Sequence, residues 1–119
     1  MIGIDIIEID RIESVISNDA FIKRVFTEKE IQDCQSSPTI SVQASRFASR
    51  FAAKEAVYKA VEAIEVLRWQ DIQVSNESSG KPFITFFGKT KQIIDDNKLI
   101  IDISLSHSRN NAVAVAIIK

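Results

Sequence analysis

The sequence predicts an α+β fold in which an antiparallel sheet packs against one long helix. One observation is an alanine-rich segment, from about residue 43 to residue 64, that contains neither glycine nor proline and so favours a helix. The other is the change of pattern after it, where the apolar residues occur in short runs bounded by turn residues, as is typical of strands.

At the start of the chain, an isoleucine-rich run over residues 2–9 predicts a buried strand. Asp10 and Glu13 resemble a capping box, which predicts a short helix immediately after this strand. A second short helix is predicted around residues 21–26 from the spacing of its apolar side chains.

Thr27 and Glu30 form a clearer capping box and predict a third helix that runs through Cys34. Residues 35–42 then read as a loop before the long helix. In the second half, residues 109–111 predict a hairpin turn. The strands predicted there are residues 69–75, 82–87, 99–108 and 112–118.

Length and composition predict a single domain over residues 1–119 and exclude several classes of protein. A hydrophobic content of 45% and a net charge of −1 argue against a disordered chain and against a polybasic nucleic-acid binder. The single cysteine, Cys34, excludes an intramolecular disulfide and a multi-thiolate metal site. The apolar run at the start is broken by Asp5 and Glu8, so we expect neither signal peptide nor membrane span, and a cytoplasmic protein.

Two acids stand where apolar residues are expected. Asp5 lies inside the first isoleucine-rich strand, and Glu55 falls on the arc of the long helix that Phe47 and Phe51 define at about 100° per residue. Because an unpaired buried carboxylate is costly, a cation between the two acids would keep both ionised. The pair therefore predicts a magnesium site and phosphate chemistry, although Glu55 with Lys59 can also be read as an ordinary helix ion pair.

Basic residues form a stripe on the flank of the same helix, at Arg46, Arg50 and Lys54. Like charges four residues apart repel, so the stripe indicates an anionic partner, with a solvated face as the alternative. A second basic set, Arg11, Lys23, Arg24 and Lys29, surrounds the short early helices and is either surface or a site for an acidic partner helix.

The one histidine, His107, lies at the end of a predicted strand between Ser106 and Ser108. Hydroxyls, an imidazole and backbone N–H groups at a strand end can hold a phosphate, although a lone histidine there is more often structural. Residues 78–82 form a turn with Lys81 at its tip, and such turns are mostly only turns.

Taken together, five motifs resemble those of the holo-[acyl-carrier-protein] synthases, and the resemblance covers essentially the whole chain. The strand aspartate and the Phe-Ala-Ala-Lys-Glu-Ala-x-x-Lys-Ala block are highly specific in combination. The motifs, in family order, are residues 3–11 (GIDIIEIDR), 26–30 (FTEKE), 46–60 (RFASRFAAKEAVYKA), 80–82 (GKP) and 104–108 (SLSHS).

The resemblance implies an enzyme of the 4′-phosphopantetheinyl transferase fold that moves 4′-phosphopantetheine from coenzyme A to a serine of apo-acyl carrier protein. The other product is adenosine 3′,5′-bisphosphate, and the implied context is fatty acid biosynthesis. By the same resemblance, Asp5 and Glu55 hold Mg²⁺ and Glu55 helps to deprotonate the attacking serine, directly or through a metal-bound water. Lys59 offsets charge on the departing phosphate.

The resemblance also implies contacts with both substrates and an assembly. Arg11 and Arg24 would meet the acidic helix of the carrier protein, and chains of this length form homotrimers with the active site between subunits. In residues 61–69 the chain lacks the glycine that the family usually has after the long helix. The residues implied to contact coenzyme A are Arg50, Lys54, Gly80, Lys81, Pro82, Ser106, His107 and Ser108.

Two other functions are compatible with the same residues. A non-catalytic module would bind coenzyme A or carrier protein without turnover, and it would keep binding after Asp5→Ala. A small metal-dependent phosphohydrolase would cleave coenzyme A in the absence of any carrier protein.

Overall fold

The computed structural model describes residues 1–61 and 67–119. Its five strands and five helices mix along the chain, with a 3₁₀ turn at Trp69–Asp71. The strands are β1 (Ile2–Glu8), β2 (Ile72–Asn76), β3 (Pro82–Phe86), β4 (Ile101–His107) and β5 (Asn111–Ile118). The helices are α1 (Ile9–Glu13), α2 (Asp19–Val25), α3 (Glu28–Gln35), α4 (Ile40–Val61) and α5 (Gly88–Asp96).

The main sheet has the strand order β1–β5–β4, and every pairing in it is antiparallel. Strands β2 and β3 form a separate antiparallel hairpin. Helix α4 packs across one face of the main sheet and contacts both β1 and β5. The predicted α+β architecture, an antiparallel sheet packed against one long helix, is therefore confirmed.

Small residues on the inner face of the sheet allow α4 to lie close to it. Ala112, Ala114 and Ala116 of β5 are fully buried beneath the helix, and Gly3 is paired with Ala116 on the neighbouring strand β1. Because none of these side chains extends beyond a methyl group, the helix backbone approaches the strand backbone directly.

The prediction that β1 is a buried strand holds for one face only. Gly3 and Ile7 are buried on the helix side, whereas Ile2, Ile4 and Ile6 are 67%, 60% and 64% exposed. Alternate side chains of a strand point to opposite faces, and α4 covers only one of them within this chain. The opposite, apolar face is open in the single chain.

Helix starts were predicted with mixed success. The capping box at Thr27 and Glu30 is confirmed, since each side chain accepts from the backbone N–H of the other residue. The capping box predicted at Asp10 and Glu13 is wrong, because the N-cap of α1 is Glu8, two residues before Asp10, and it makes no side-chain cap bond.

The largest departures from the predicted elements concern the long helix, the start of β2 and helix α5. The loop is shorter than residues 35–42, because α4 begins at Ile40, and the predicted end of that helix at residue 64 lies outside the described residues, as do most of residues 61–69. The 3₁₀ turn replaces the start of the strand predicted from residue 69. Helix α5 was missed because its only apolar residues, Ile93 and Ile94, are adjacent and show no helical period.

A buried ion pair joins α3 to α4. Lys54 Nζ lies 2.6 Å from Glu30 Oε1, and neither side chain is exposed. The ammonium also donates to Val25 O at 2.7 Å and to Trp69 O at 3.0 Å. Burial lowers the pKa of Lys54, and the adjacent Glu30 carboxylate opposes that effect.

This pair corrects the prediction for Lys54. An ammonium has three N–H donors, and Glu30, Val25 and Trp69 take all three. No donor is left for a phosphate of coenzyme A, so the side chain holds the fold together instead. The helix wheel placed Lys54 on an exposed flank because it could not show that α3 covers this side of α4.

Candidate active site

The two acids meet where β1 crosses α4. Asp5 projects from the inner face of β1, two residues beyond Gly3, and Glu55 projects from α4. Lys59, one turn further along the helix, binds the strand: its Nζ lies 3.2 Å from Asp5 Oδ1 and 3.0 Å from Ile4 O. The Asp5 side chain is 15% exposed and that of Lys59 is 47% exposed, so the cluster lies at the edge of the core and open to ligands.

Partial burial and the neighbouring negative charge of Asp5 disfavour the ionised form of Glu55. Burial raises the pKa of Glu55, the nearby charge of Asp5 raises it further, and Lys59 partly offsets both effects. Within the described residues, the ion pair of Lys59 is with Asp5 and none involves Glu55. The alternative reading, a simple helix ion pair between Glu55 and Lys59, is therefore wrong: Lys59 pairs with Asp5 and only moderates the pKa of Glu55 through its charge.

The donor set fits Mg²⁺. Two carboxylates supply hard oxygen ligands, and Mg²⁺ commonly takes one or two of them while substrate phosphates and water complete its coordination. No group of three or more His, Cys, Asp or Glu side chains that could hold a metal occurs in the described parts of the chain. Asp5 and Glu55 would thus hold the ion jointly with a phosphate ligand.

A cavity of about 340 Å³ opens beside Glu55. Its floor includes Tyr58 of α4, and its other side is formed by Leu67, Arg68 and Trp69. Trp69 stacks on Phe51 at 5.5 Å, which fixes this wall against the helix. The sequence analysis did not name Arg68 and Trp69 as site residues. The available signal was the adjacency of an arginine and the one tryptophan, and the structure shows that Arg68 is exposed.

A second groove, of about 310 Å³, brings together five residues that the sequence singled out. It lies between α4, the β2–β3 turn and the end of β4. The sequence analysis did not name the polar residues Ser45, Ser49 and Asn76 of this groove, because no pattern marked their side chains as ligands. The predicted residues that line it are Arg50, Gly80, Pro82 and His107, and Arg46 of the basic stripe joins them.

Arg50 is the strongest anion-binding candidate in this groove. The residue is only 8% exposed, and its guanidinium makes two long hydrogen bonds, to Asn76 Oδ1 at 3.3 Å and to Arg46 O at 3.4 Å. Among the described residues, the Arg50 Nε has no hydrogen-bond partner and the guanidinium pairs with no carboxylate. A buried, unpaired guanidinium is stabilised by a bound anion.

Three more predicted contacts lie outside the centre of this groove. Ser106 faces the opposite side of the sheet from His107, so it cannot line the same groove within one chain. Ser108 closes the hairpin, with its Oγ accepting from the backbone N–H of Asn111 at 3.3 Å. Lys81 is exposed on the turn. Their contacts with coenzyme A remain predictions.

The basic residues expected to meet a carrier protein are accessible. Arg11 on α1 and Arg24 on α2 are both exposed. None of the helices in the described part of the chain combines the length and hydrophobicity that crossing a bilayer would require.

Comparison with known proteins identifies the family. Residues 1–116 match the family model described as the 4′-phosphopantetheinyl transferase superfamily. This chain belongs to the 4′-phosphopantetheinyl transferase superfamily. The resemblance and the enzyme class predicted from the motifs are confirmed.

Individual relatives of this superfamily are similar over nearly their whole length. The holo-[acyl-carrier-protein] synthase of Clostridium tetani is 44% identical, with 99% of this chain and 94% of that protein covered. A holo-(acyl-carrier-protein) synthase from Bacillus anthracis, solved in complex with CoA (3′,5′-ADP), gives a TM-score of 0.80 at 36% identity, covering 98% and 93%. The Helicobacter pylori synthase, solved with coenzyme A, gives 0.82 at 32% identity and covers both chains completely.

Proposed function

We propose that this protein is a Mg²⁺-dependent enzyme that transfers 4′-phosphopantetheine from coenzyme A to a serine hydroxyl of apo-acyl carrier protein. The products are holo-acyl carrier protein and adenosine 3′,5′-bisphosphate. The observation that carries the proposal is the meeting of Asp5, Glu55 and Lys59 at the crossing of β1 and α4, in a chain of this superfamily.

The acid pair gives each side chain a role. Asp5 and Glu55 would hold Mg²⁺, which when bound polarises the diphosphate and stabilises charge on the leaving group. Glu55, which stands beside Asp5, would help to deprotonate the serine hydroxyl. Among the described residues, Lys59 donates to Asp5 and Ile4, which leaves one of its three N–H donors for the departing phosphate.

The nucleophile comes from the carrier protein. The one cysteine of this chain, Cys34, is fully buried, and burial raises the pKa of its thiol to about 12, so it is not a competing nucleophile. Arg11 and Arg24 would receive the acidic surface of the carrier protein, which positions its serine. Charge complementarity of this kind mainly accelerates encounter and fixes orientation.

The groove at Arg50 would bind the adenosine phosphate end of coenzyme A. Arg50 and Arg46 supply positive charge, His107 and the serines supply hydrogen bonds, and the Gly80–Pro82 turn forms a wall. Two similar proteins, from B. anthracis and H. pylori, were solved with coenzyme A or its nucleotide, which supports this ligand class.

We also propose that the chain acts as a homotrimer with the active site between subunits. The resemblance to the small holo-[acyl-carrier-protein] synthases implies this assembly, in which the acid pair on β1 and His107 on β4 stand at opposite edges of the main sheet. The open face supplies an apolar contact surface, which includes Ile2, Ile4, Ile6 and Ile117. Ile4→Glu should dissociate the assembly in sedimentation experiments, and an unchanged mass would contradict this contact.

The reaction is tested by incubating the protein with apo-acyl carrier protein, coenzyme A and Mg²⁺ and weighing the carrier by intact mass spectrometry. We expect a gain of one phosphopantetheine arm, absent with EDTA and absent for Asp5→Asn. Asp95→Asn, an exposed acid on α5, is the matched control and should retain activity.

The same experiment separates the two alternatives. Binding of coenzyme A with no mass gain on a cognate carrier would favour the non-catalytic module, and cleavage of coenzyme A without carrier would favour the phosphohydrolase. A cytoplasmic location and a role in fatty acid biosynthesis remain predictions.

A further inference from the structure

We propose that Gly3 is a positioning residue of the active site, because its missing side chain sets the separation between Asp5 on β1 and Glu55 on α4. The inference rests on the proposed metal-dependent transfer. It goes further by assigning a functional reason to a residue that would not itself touch metal or substrate.

The contact at Gly3 leaves no room for a side chain. A Cβ there would lie 1.9 Å from Ala56 O and 2.8 Å from Ala60 N, both below the 3.0 Å that real Cβ atoms respect. Both atoms belong to the backbone of α4, so no side-chain rotation can relieve the clash. The neighbouring strand offers no space either, since Ala116, paired with Gly3, is fully buried.

Backbone conformation does not explain the glycine. Gly80 and Gly88 have positive φ angles, of 92° and 56°, whereas Gly3 is in a regular strand without one. The requirement at Gly3 is therefore the close approach of two backbones.

The contact at Gly3 lies beside the cluster formed by Asp5, Glu55 and Lys59. Gly3 and Asp5 share the inner face of β1, about 6.7 Å apart along the strand. On the helix, Ala56 follows Glu55 and Ala60 follows Lys59. Lys59 fastens the same crossing through Asp5 Oδ1 and Ile4 O.

An alanine at position 3 would change the geometry of the acid pair. Raising the contact from 1.9 Å to 3.0 Å requires the strand and helix to separate by at least about 1.1 Å. Mg²⁺ demands near-ideal coordination at about 2.0–2.1 Å, so a shift of this size weakens joint binding by Asp5 and Glu55. We expect Mg²⁺ affinity to fall by roughly 10- to 100-fold and kcat by about 100-fold.

The test compares wild type, Gly3→Ala and a control that is destabilised elsewhere. Ile94→Ala, in the buried side of α5, lowers stability at a distance from the acids. Mg²⁺ affinity is measured by calorimetry with coenzyme A saturating, and kcat and both KM values are measured by mass spectrometry. We expect Gly3→Ala alone to lose Mg²⁺ affinity, to lose kcat more than it raises the KM for carrier protein, and to recover partly at high Mg²⁺.

Several outcomes would count against the role proposed for Gly3. A folded Gly3→Ala protein with wild-type Mg²⁺ affinity, or an equal loss in Ile94→Ala, would overturn it. If Gly3→Ala does not fold, Ala114→Val is the second test, because it adds two methyl groups to the same strand–helix interface beside Asp5. An unchanged Mg²⁺ affinity in Ala114→Val would also overturn the proposal. Failure of wild type itself to bind Mg²⁺ or to transfer would instead refute the proposed function.

Discussion

The buried pair of Lys54 and Glu30 provides a quantitative test of how this chain is held together. Lys54→Met keeps the length and apolar stem of the side chain but removes its charge and its donors. The substitution leaves Glu30 buried without its counter-ion, and it leaves Val25 O and Trp69 O without the donor they share. The side chains of both ion-pair members are 0% exposed, so water cannot replace the lost contacts without opening the core.

The expected loss is large for one residue. Breaking one partner of a buried pair costs about 3–5 kcal/mol. For 119 residues, an unfolding entropy of about 2.1 cal/mol/K per residue gives roughly 0.25 kcal/mol per kelvin. The midpoint of thermal unfolding should therefore fall by about 12–20 °C.

The measurement is denaturant and thermal unfolding at fixed protein concentration with EDTA, so that neither assembly nor metal differs between variants. Lys91→Met is the matched control, because Lys91 pairs with Asp95 on the surface and should lose less than about 1 kcal/mol.

A double variant separates the charge from the hydrogen bonds. Glu30→Gln with Lys54→Met removes both charges and should be less destabilised than the two single losses added together. The stability should recover only in part, because the Glu30 carboxylate also accepts from the backbone N–H groups of Thr27 and Val74. The glutamine amide that replaces it has one accepting oxygen, while its nitrogen can only donate. A loss below about 1 kcal/mol in Lys54→Met would refute the assignment of Lys54 to the core.

Three further predictions concern the site. Arg50→Gln should raise the KM for coenzyme A by about 10- to 100-fold, the equivalent of one charge-assisted hydrogen bond, and steady-state kinetics should show no comparable change in the KM for carrier protein. Because burial and Asp5 raise the pKa of Glu55 above its ordinary 4.5, protons compete with Mg²⁺ above pH 4.5, and calorimetry should show affinity that rises with pH and levels off above the folded pKa. Without metal, ionising Glu55 costs folding free energy, so Glu55→Gln should gain stability relative to wild type over the same rise in pH, and a constant difference would contradict the raised pKa.

Local patterns in the sequence were sufficient for much of the architecture. The capping box of Thr27 and Glu30 depends on residues three apart, and the long alanine-rich helix depends on intrinsic propensity, so both were predicted before any contact was known. Helix α5 was missed because it is a short helix whose amphipathic signal rests on two adjacent isoleucines.

The basic stripe shows where local pattern fails. Arg46, Arg50 and Lys54 are equivalent on a helix wheel, but in the structure Arg50 lines a groove while Lys54 is buried against Glu30. The difference comes from the elements that pack against the helix, because Lys54 meets Glu30 of α3 whereas Arg50 meets Asn76 at the end of β2. Periodicity describes one element, whereas burial depends on what packs against it.

By itself, the sequence determined the fold class, the family motifs and the presence of two acids in apolar surroundings, because each is encoded within a short stretch of residues. Tertiary structure decided which groups meet. The clash-free contact of Gly3 with the helix backbone, the sharing of Lys59 between Asp5 and Ile4, and the convergence of Arg50, Asn76 and His107 all join segments far apart in the chain. Such contacts depend on how close two elements pack, and no property of either element alone specifies that distance.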